Sequence, residues 1–134
     1  MDSESYNGMP IHYRYSEFNT EHGVTIVEHQ FVAVRETARC YFLIHKHELN
    51  AYERDWYNVK QYRVLKGALR GRAHPTREKA LQAYRARKYS QLHHCELGVA
   101  VAKQALKATD NLKVIDGGKL DAGRPEYFNN FIWD

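Results

Sequence analysis

The chain has 134 residues, of which 43% are hydrophobic and 13% aromatic, and it carries a formal net charge of +4. This length and composition predict one folded domain with its own core and exclude a disordered chain. The sequence contains no apolar run near the about 20 residues that a membrane-spanning helix needs. Its start is acidic and polar, unlike a signal peptide, and two scattered cysteines, Cys40 and Cys95, are not a disulfide framework. We therefore expect a cytoplasmic protein whose two thiols are buried and reduced.

Basic residues are concentrated in the middle of the chain. Residues 1–59 contain five Lys or Arg and nine Asp or Glu, whereas residues 60–95 contain ten and one. Residues 96–134 are nearly balanced, with five and six. Such asymmetry indicates that the middle segment binds a polyanion or an acidic partner, although it says nothing about the fold.

The first half of the chain has the pattern of a β-meander over residues 11–67, preceded by a flexible arm at 1–10. Alternating and β-branched residues predict strands at 11–15, 24–37, 40–46 and 59–67. The short link between the second and third strands predicts an antiparallel hairpin. A one-residue shift of the apolar face near His29 predicts a β-bulge at that position.

A long helix is predicted over residues 76–108. Thr76 is a suitable N-cap, Pro75 keeps the entering chain out of the helix, and Glu78 suits the positive end of the helix dipole. Apolar residues then recur at helical spacing, at Leu81, Tyr84, Leu92, Cys95, Val99, Ala102 and Leu106. In the second half of the helix the opposite face is apolar as well, which predicts burial on two sides.

The C-terminal residues 112–134 are expected to cover that second half. Residues 112–116 have the composition of a short edge strand, and the last eight residues are strongly aromatic. The fold class is therefore predicted as α+β, with a three- to four-stranded antiparallel sheet packed on one long helix. A partner subunit is the other candidate to cover the helix, in a homodimer. Its interface would contain Leu97, Val101, Ala105, Phe128, Phe131 and Trp133.

The candidate binding surface is the basic loop before the helix together with the start of the helix. A helix N-terminus presents backbone amides beside guanidinium groups, an arrangement that suits phosphate. Nucleic acid, an acidic protein partner and an ordinary solvated helix face all fit this pattern. Lys88, which falls on the apolar stripe, either extends to the rim or pairs with Glu28 or Glu36 of the sheet. The predicted binding residues are Arg70, Arg72, Arg77, Lys79, Arg87 and Lys88.

Motifs of catalysis and metal binding are absent from the sequence. It has no zinc-ligand spacing, no H-E-x-x-H, no G-x-S-x-G and no phosphate-binding glycine loop. We expect no metal, no cofactor and no catalysis. The alternative is a small hydrolase or nucleotide-handling enzyme that uses histidines, and its candidates are His45, His47, His74, His93 and His94.

Two segments, "FVAVRET" and "VLKGALRGRAHPTREKALQAYRARKYSQL", resemble small accessory proteins of tailed bacteriophages. The matching positions are Val34, Glu36, Thr37, Pro75, Thr76, Ala80, Leu81, Arg87 and Lys88. Thr76 and Ala80 are also the ordinary means of seating a helix on a sheet, so the motif is shared by other folds. The resemblance implies a small phage protein that binds and blocks host machinery, such as a nucleoprotein or CRISPR-type defence complex, in the bacterial cytoplasm. Direct binding of DNA or RNA is the alternative that uses the same residues.

Overall fold

The computed structural model of this chain describes residues 5–125. Where the sequence predicts a single domain, tertiary contacts divide the chain into two compact units, Met1–Ala86 and Arg87–Asp134. The first unit contains the sheet and the start of the long helix. The second contains the rest of that helix and the segment after it.

The α+β class predicted from the sequence is confirmed. Six strands, β1–β6, and two α-helices, α1 and α2, are present in residues 5–125, with 3-10 turns at Lys46–Glu48 and Asp116–Gly118. Their bounds are Ser5–Tyr6, Met9–Pro10, His12–Thr20, Gly23–Glu36, Cys40–His45 and Tyr62–Leu65 for the strands, and Leu49–Glu53 and Arg77–Ala108 for the helices. No helix among residues 5–125 is both long and apolar enough to cross a membrane.

The main sheet is an antiparallel meander of four strands in the order β3-β4-β5-β6. The predicted hairpin is confirmed: Phe31 of β4 pairs with His45 of β5, and Val32 pairs with Ile44. The predicted bulge near His29 is wrong, because the register shift lies between Ala33 and Arg35. Periodicity located an irregularity in the strand but placed it too early, because the residues around His29 are only half-buried and tolerate polar side chains on either face.

Both faces of the sheet are covered at its centre. Three consecutive residues of β4, Phe31, Val32 and Ala33, are almost completely buried. On one face, Val32 packs in a cluster with Ile44 and with Ala80 of α2. On the other face, Phe31 and Ala33 pack in a cluster with Leu43, Val64 and Ala73. Because successive side chains of a strand point to opposite faces, a run of three buried residues requires cover on both sides. The helix start supplies one cover, and the loop before the helix supplies the other.

The predicted start of the long helix is confirmed. The Thr76 hydroxyl accepts a hydrogen bond from the Lys79 backbone N–H at 3.1 Å, which makes Thr76 the N-cap. One turn later, Ala80 is 1% exposed, and its small side chain allows the backbone to approach the sheet closely. The Tyr84 hydroxyl then donates to the Glu17 carboxylate at 3.0 Å. The first turns of α2 therefore pack on the sheet.

Several predictions for the ends of the chain differ from the structure. Residues 5–10, expected in a flexible arm, form the hairpin of β1 and β2, and Tyr6 donates a hydrogen bond to Glu53 at 2.6 Å. The edge strand predicted at 112–116 is wrong, because this described segment has no strand pairing and ends in a 3-10 turn. Cys40 is buried as expected, but Cys95 is exposed. The aromatic segment from Tyr127 onwards lies outside the described residues.

Candidate functional site

The basic loop before α2 is tied to the edge of the sheet. The backbone N–H of Tyr13 donates to the carbonyl of His74 at 2.7 Å, and the N–H of His74 donates to the carbonyl of Tyr13 at 3.0 Å. Nearby, Arg14 Nη1 donates to the carbonyl of Arg72 at 2.9 Å. These hydrogen bonds fix the backbone of the C-terminal part of the loop, which carries its basic side chains.

Arg72 and Arg77 each have a defined place on the sheet. The Arg72 guanidinium lies 4.1 Å from the ring centroid of Tyr62 in β6. The Arg77 guanidinium lies 4.5 Å from the ring of Tyr13, and its Nε donates to the Glu28 carboxylate at 2.7 Å. The positive charge of Arg77 is thus largely balanced within the protein. The positive charge of Arg72 lies over an aromatic ring, so Arg72 can still attract an anion.

Arg70, before the end of the loop, and Lys79, after it in the first turn of α2, both have exposed side chains. Lys79 lines a shallow groove along the first turns of α2, with Thr76, Glu78, Leu81, Gln82 and Arg85. Glu78 is the one carboxylate among these groove residues. The exposed cations of the first unit that agree best with the predicted binding surface are therefore Arg70, Arg72 and Lys79.

The other two predicted binding residues, Arg87 and Lys88, belong to the second unit and are half-buried. Lys88 Nζ donates to Gln91 Oε1 at 2.7 Å, one turn further along α2. The partners proposed for Lys88 have other contacts, since Glu28 binds Arg77 and Glu36 binds Lys66. Four of the six predicted binding residues therefore lie in the first unit, and two lie in the second.

The predicted interface residues are in part accessible. Leu97 is half-buried, Val101 is 50% exposed and Ala105 is exposed. On the same helix Val99 and Leu106 are 54% and 69% exposed. The described residues leave these side chains accessible, and the aromatic segment that is expected to cover them lies outside the described residues. Phe128, Phe131 and Trp133 lie outside the described residues.

Three histidines come together at the end of the hairpin of β4 and β5. The ring centroids of His45 and His47 are 5.2 Å apart, and those of His29 and His45 are 6.5 Å apart. His29 Nε2 lies 2.7 Å from the Ser16 hydroxyl. The ring of His45 also lies 5.8 Å from that of Tyr62, the ring under Arg72. Burial lowers the pKa of His45.

The remaining candidate histidines lie elsewhere. His74 is buried in the loop before α2, and His93 and His94 are neighbours in the second unit with ring centroids 5.6 Å apart. Between Ser5 and Pro125, no three His, Cys, Asp or Glu side chains are arranged to hold a metal ion.

Sequence reasoning missed Tyr62 and His29 as members of a candidate site. The sequence predicts both in strands, and nothing in the chain around them shows that their rings meet. The strand register is the signal that could have found them. Phe31 pairs with His45, and His29 is two residues from Phe31, so the side chains of His29 and His45 lie on the same face of the sheet. Choosing that register requires knowing where the bulge is.

Comparison with known proteins finds no matching protein family, no matching curated protein and no matching solved structure.

Proposed function

We propose that this chain is a non-catalytic binding protein that docks on an acidic surface of a larger complex through its basic loop and helix start. The observation that carries the proposal is the anchored loop. Its backbone is hydrogen-bonded to β3 at His74 and Arg72, while the side chains of Arg70, Arg72 and Lys79 remain exposed. A held loop loses less conformational entropy on binding than a mobile one, so its charges contribute more to affinity.

The target class is a host nucleoprotein or defence complex in the bacterial cytoplasm, which the protein would inhibit. The resemblance of the strand and helix segments to phage accessory proteins supports this choice. The concentration of positive charge in residues 60–95 supports an acidic partner of either protein or nucleic acid. No cofactor or metal enters the proposal.

Capture from bacterial lysate, with and without nuclease, tests this function. The variant is Arg70→Glu with Lys79→Glu, because these two side chains are exposed and their charges are not used in the contacts described above. Arg77 is left unchanged, since its loss would disturb the contact with Glu28. The matched control is Lys113→Glu with Lys119→Glu, which makes the same change in net charge on exposed residues of the second unit, outside the helix stretch assigned to the homodimer.

A defined protein partner that survives nuclease, is lost in the loop variant and is kept by the control supports docking on a protein surface. If wild-type protein and loop variant capture the same partners, the basic loop is a solvated surface and the proposal fails. Inhibition is then tested by adding the purified protein to the captured complex and measuring that complex's activity.

Direct binding of DNA or RNA by the same loop is the alternative. A specific observation favours it: the stack of Arg72 on Tyr62 places a cation and an aromatic ring at one position, as proteins that bind nucleic acids often do. In this case nuclease removes the captured material, and binding to purified nucleic acid falls steeply with salt concentration.

Self-association is a separate part of the proposal. The accessible apolar side chains of residues 97–106 of α2 would be buried in a homodimer. Leu97, Val101 and Ala105 are the residues of the described chain assigned to that interface.

A further inference from the structure

The end of the sheet that carries Tyr62 combines four aromatic or imidazole rings from β4, β5, the 3-10 turn after β5, and β6, above the buried ring of Phe31. His45, at the end of β5, occupies the centre of this group. Its ring centroid lies 4.5 Å from that of Phe31, 5.8 Å from that of Tyr62, 5.2 Å from that of His47 and 6.5 Å from that of His29. Phe31 is completely buried and forms the floor, whereas the other rings are partly or fully accessible. We call His29, His45, His47 and Tyr62 the ring cluster.

The strand register explains why these rings share one face. His45 pairs directly with Phe31, and Tyr62 pairs with Leu43, two residues before His45. Directly paired residues and residues two apart on a strand lie on the same side of a sheet. The positions of His29, His45 and Tyr62 are therefore a consequence of the meander, and His47 follows in the 3-10 turn after β5. The ring cluster continues the buried cluster of Phe31 and Leu43 towards solvent.

Cations surround the ring cluster on the side of β6. The Arg72 guanidinium lies 4.1 Å from the Tyr62 ring centroid, and Lys60 Nζ lies 5.1 Å from the same centroid. On the hairpin side, Lys46 Nζ donates to Gln30 Oε1 at 3.2 Å beside His29 and His47 in an open depression. The Arg72 guanidinium and Lys60 thus lie over the ring of Tyr62. A guanidinium supported by an aromatic ring can stack with a base and bind a phosphate of a single-stranded nucleic acid.

We propose that the ring cluster, with Lys60 and Arg72, is a binding site for single-stranded nucleic acid. Bases would stack on the Arg72 guanidinium that lies over Tyr62 and on the exposed ring of His47, and phosphates would lie against Lys60 and Arg72. The site is distinct from the docking surface proposed above, since Arg70 and Lys79 are not part of it. It shares with that surface only Arg72.

Binding at this site depends on pH because imidazoles carry part of it. The groups that face His45 are Phe31, Tyr62, His29, His47, Glu48 and Arg72. Burial lowers the pKa of His45, His47 lowers it further, Glu48 raises it, and His29 and Arg72 lower it. A phosphate placed among these groups favours the charged form of His45, so it raises the pKa of His45. Binding therefore takes up protons, and affinity increases as the pH falls.

The test is fluorescence anisotropy of a short labelled oligodeoxythymidylate with the full-length protein at about pH 6 and about pH 8. We expect the wild type to bind about tenfold more tightly at the lower pH. The His45→Gln with His47→Gln variant should lose most of this pH dependence. Tyr62→Ala should weaken binding at least about tenfold at both pH values, and Tyr62→Phe should retain it, because the ring that supports Arg72 is kept.

Matched controls lie in the second unit. His93→Gln with His94→Gln makes the same chemical change on another histidine pair, and Tyr89→Ala removes another exposed tyrosine. Neither control should alter affinity or its pH dependence. Thermal unfolding of each variant establishes that it is folded, and Tyr62→Phe keeps the test valid if Tyr62→Ala does not fold.

Four results would overturn the proposal. The first is no saturable binding by the wild type, and the second is an equal effect of the cluster variants and their controls. The third is binding of duplex DNA as tight as that of the single strand, which removes stacking as the cause. The fourth is equally tight binding of polyglutamate, lost in the same cluster variants, which would make the ring cluster a site for acidic polypeptide. The lysate experiment with the Arg70 and Lys79 variant is independent of all four, so the failure of one proposal leaves the other standing.

Discussion

Arg77, the first residue of the long helix, binds Glu28 in the central strand of the sheet through two hydrogen bonds. Nε lies 2.7 Å from Oε1, and Nη2 lies 3.3 Å from Oε2. Gln30 and Tyr15 also donate to this carboxylate, at 2.8 Å and 2.9 Å. The Arg77 guanidinium is the main reason that the pKa of Glu28 is lowered to about 2. The contact holds the helix start on the sheet.

Replacing this carboxylate should destabilise the first unit. We expect Glu28→Gln to lower the free energy of unfolding by about 1–2 kcal/mol at neutral pH, because three donors lose a charged acceptor. The loss is modest because Arg77 is 54% exposed and solvent screens the pair. Urea unfolding measures it. The control is Glu21→Gln at the tip of the β3–β4 hairpin, where the carboxylate is 87% exposed and little change is expected.

The same carboxylate should make stability depend on pH in acid. Its pKa is lower in the folded protein than in the unfolded chain, so its stabilising contribution is present above the ordinary value of 4.5. The contribution is lost as the pH falls from there towards about 2. We therefore expect the wild type to lose more unfolding free energy than Glu28→Gln across this window. Parallel pH dependence in the two proteins would contradict a charged contact at Glu28.

The N-cap of the long helix should contribute a measurable share of stability. Thr76→Ala removes the hydroxyl that accepts the Lys79 N–H, and we expect a loss of about 1 kcal/mol. Thr76→Ser keeps the acceptor and should recover most of that loss. Equal destabilisation by Ala and Ser, measured by urea unfolding, would mean that the methyl group and not the cap is important.

His12 should oppose folding as the solution becomes mildly acidic. Its side chain is 2% exposed, and its Nδ1 lies 3.0 Å from the carbonyl of Pro10. A carbonyl only accepts, so Nδ1 carries the proton. Burial lowers the pKa of His12, the Pro10 carbonyl acts in the opposite direction, and the nearby His74 lowers it again. The unfolded chain therefore binds a proton more readily than the folded protein.

The resulting prediction is a free energy of unfolding that decreases as the pH falls below the ordinary histidine value of 6.5. His12→Asn keeps a donor near Pro10 and removes the titration. Its stability should be lower overall but flatter between about pH 7.5 and about pH 5.5. His22→Asn, at a side chain that is 88% exposed, should keep the wild-type slope. An unchanged slope in His12→Asn would assign the acid sensitivity to other groups.

The proposed homodimer predicts a concentration-dependent change of mass. Val101→Glu places a charge on an apolar side chain that is 50% exposed in the isolated chain. We expect it to raise the dimer dissociation constant at least about tenfold, since a buried unpaired charge is costly. Sedimentation equilibrium measures this constant. Gln82→Glu, an equal charge change at an exposed position of the same helix, serves as control, and a monomeric wild type would end the dimer proposal.

Several features of this protein could be predicted because their causes are local. Thr76 and Pro75 define a helix start through capping and a restricted backbone, whatever surrounds them. Alternating residues in β5 and β6 define strands, and the short link after β4 makes the hairpin antiparallel. The apolar residues at 112–116 were predicted as a strand on composition alone. A strand needs a partner, and no strand pairs with that segment among the described residues.

The amino-acid sequence by itself therefore determined the α+β class, the start and end of the long helix, the order of the main strands and the position of the positive charge. Each of these depends on neighbours within a few residues or on composition. Only the tertiary structure decided which charges are already paired and which rings meet. Arg77 is neutralised by Glu28, 49 residues away, and Arg72 stacks on Tyr62. Those contacts follow from the strand register and from the path of the loop, and a shift of one residue would send each of these strand side chains to the opposite face of the sheet.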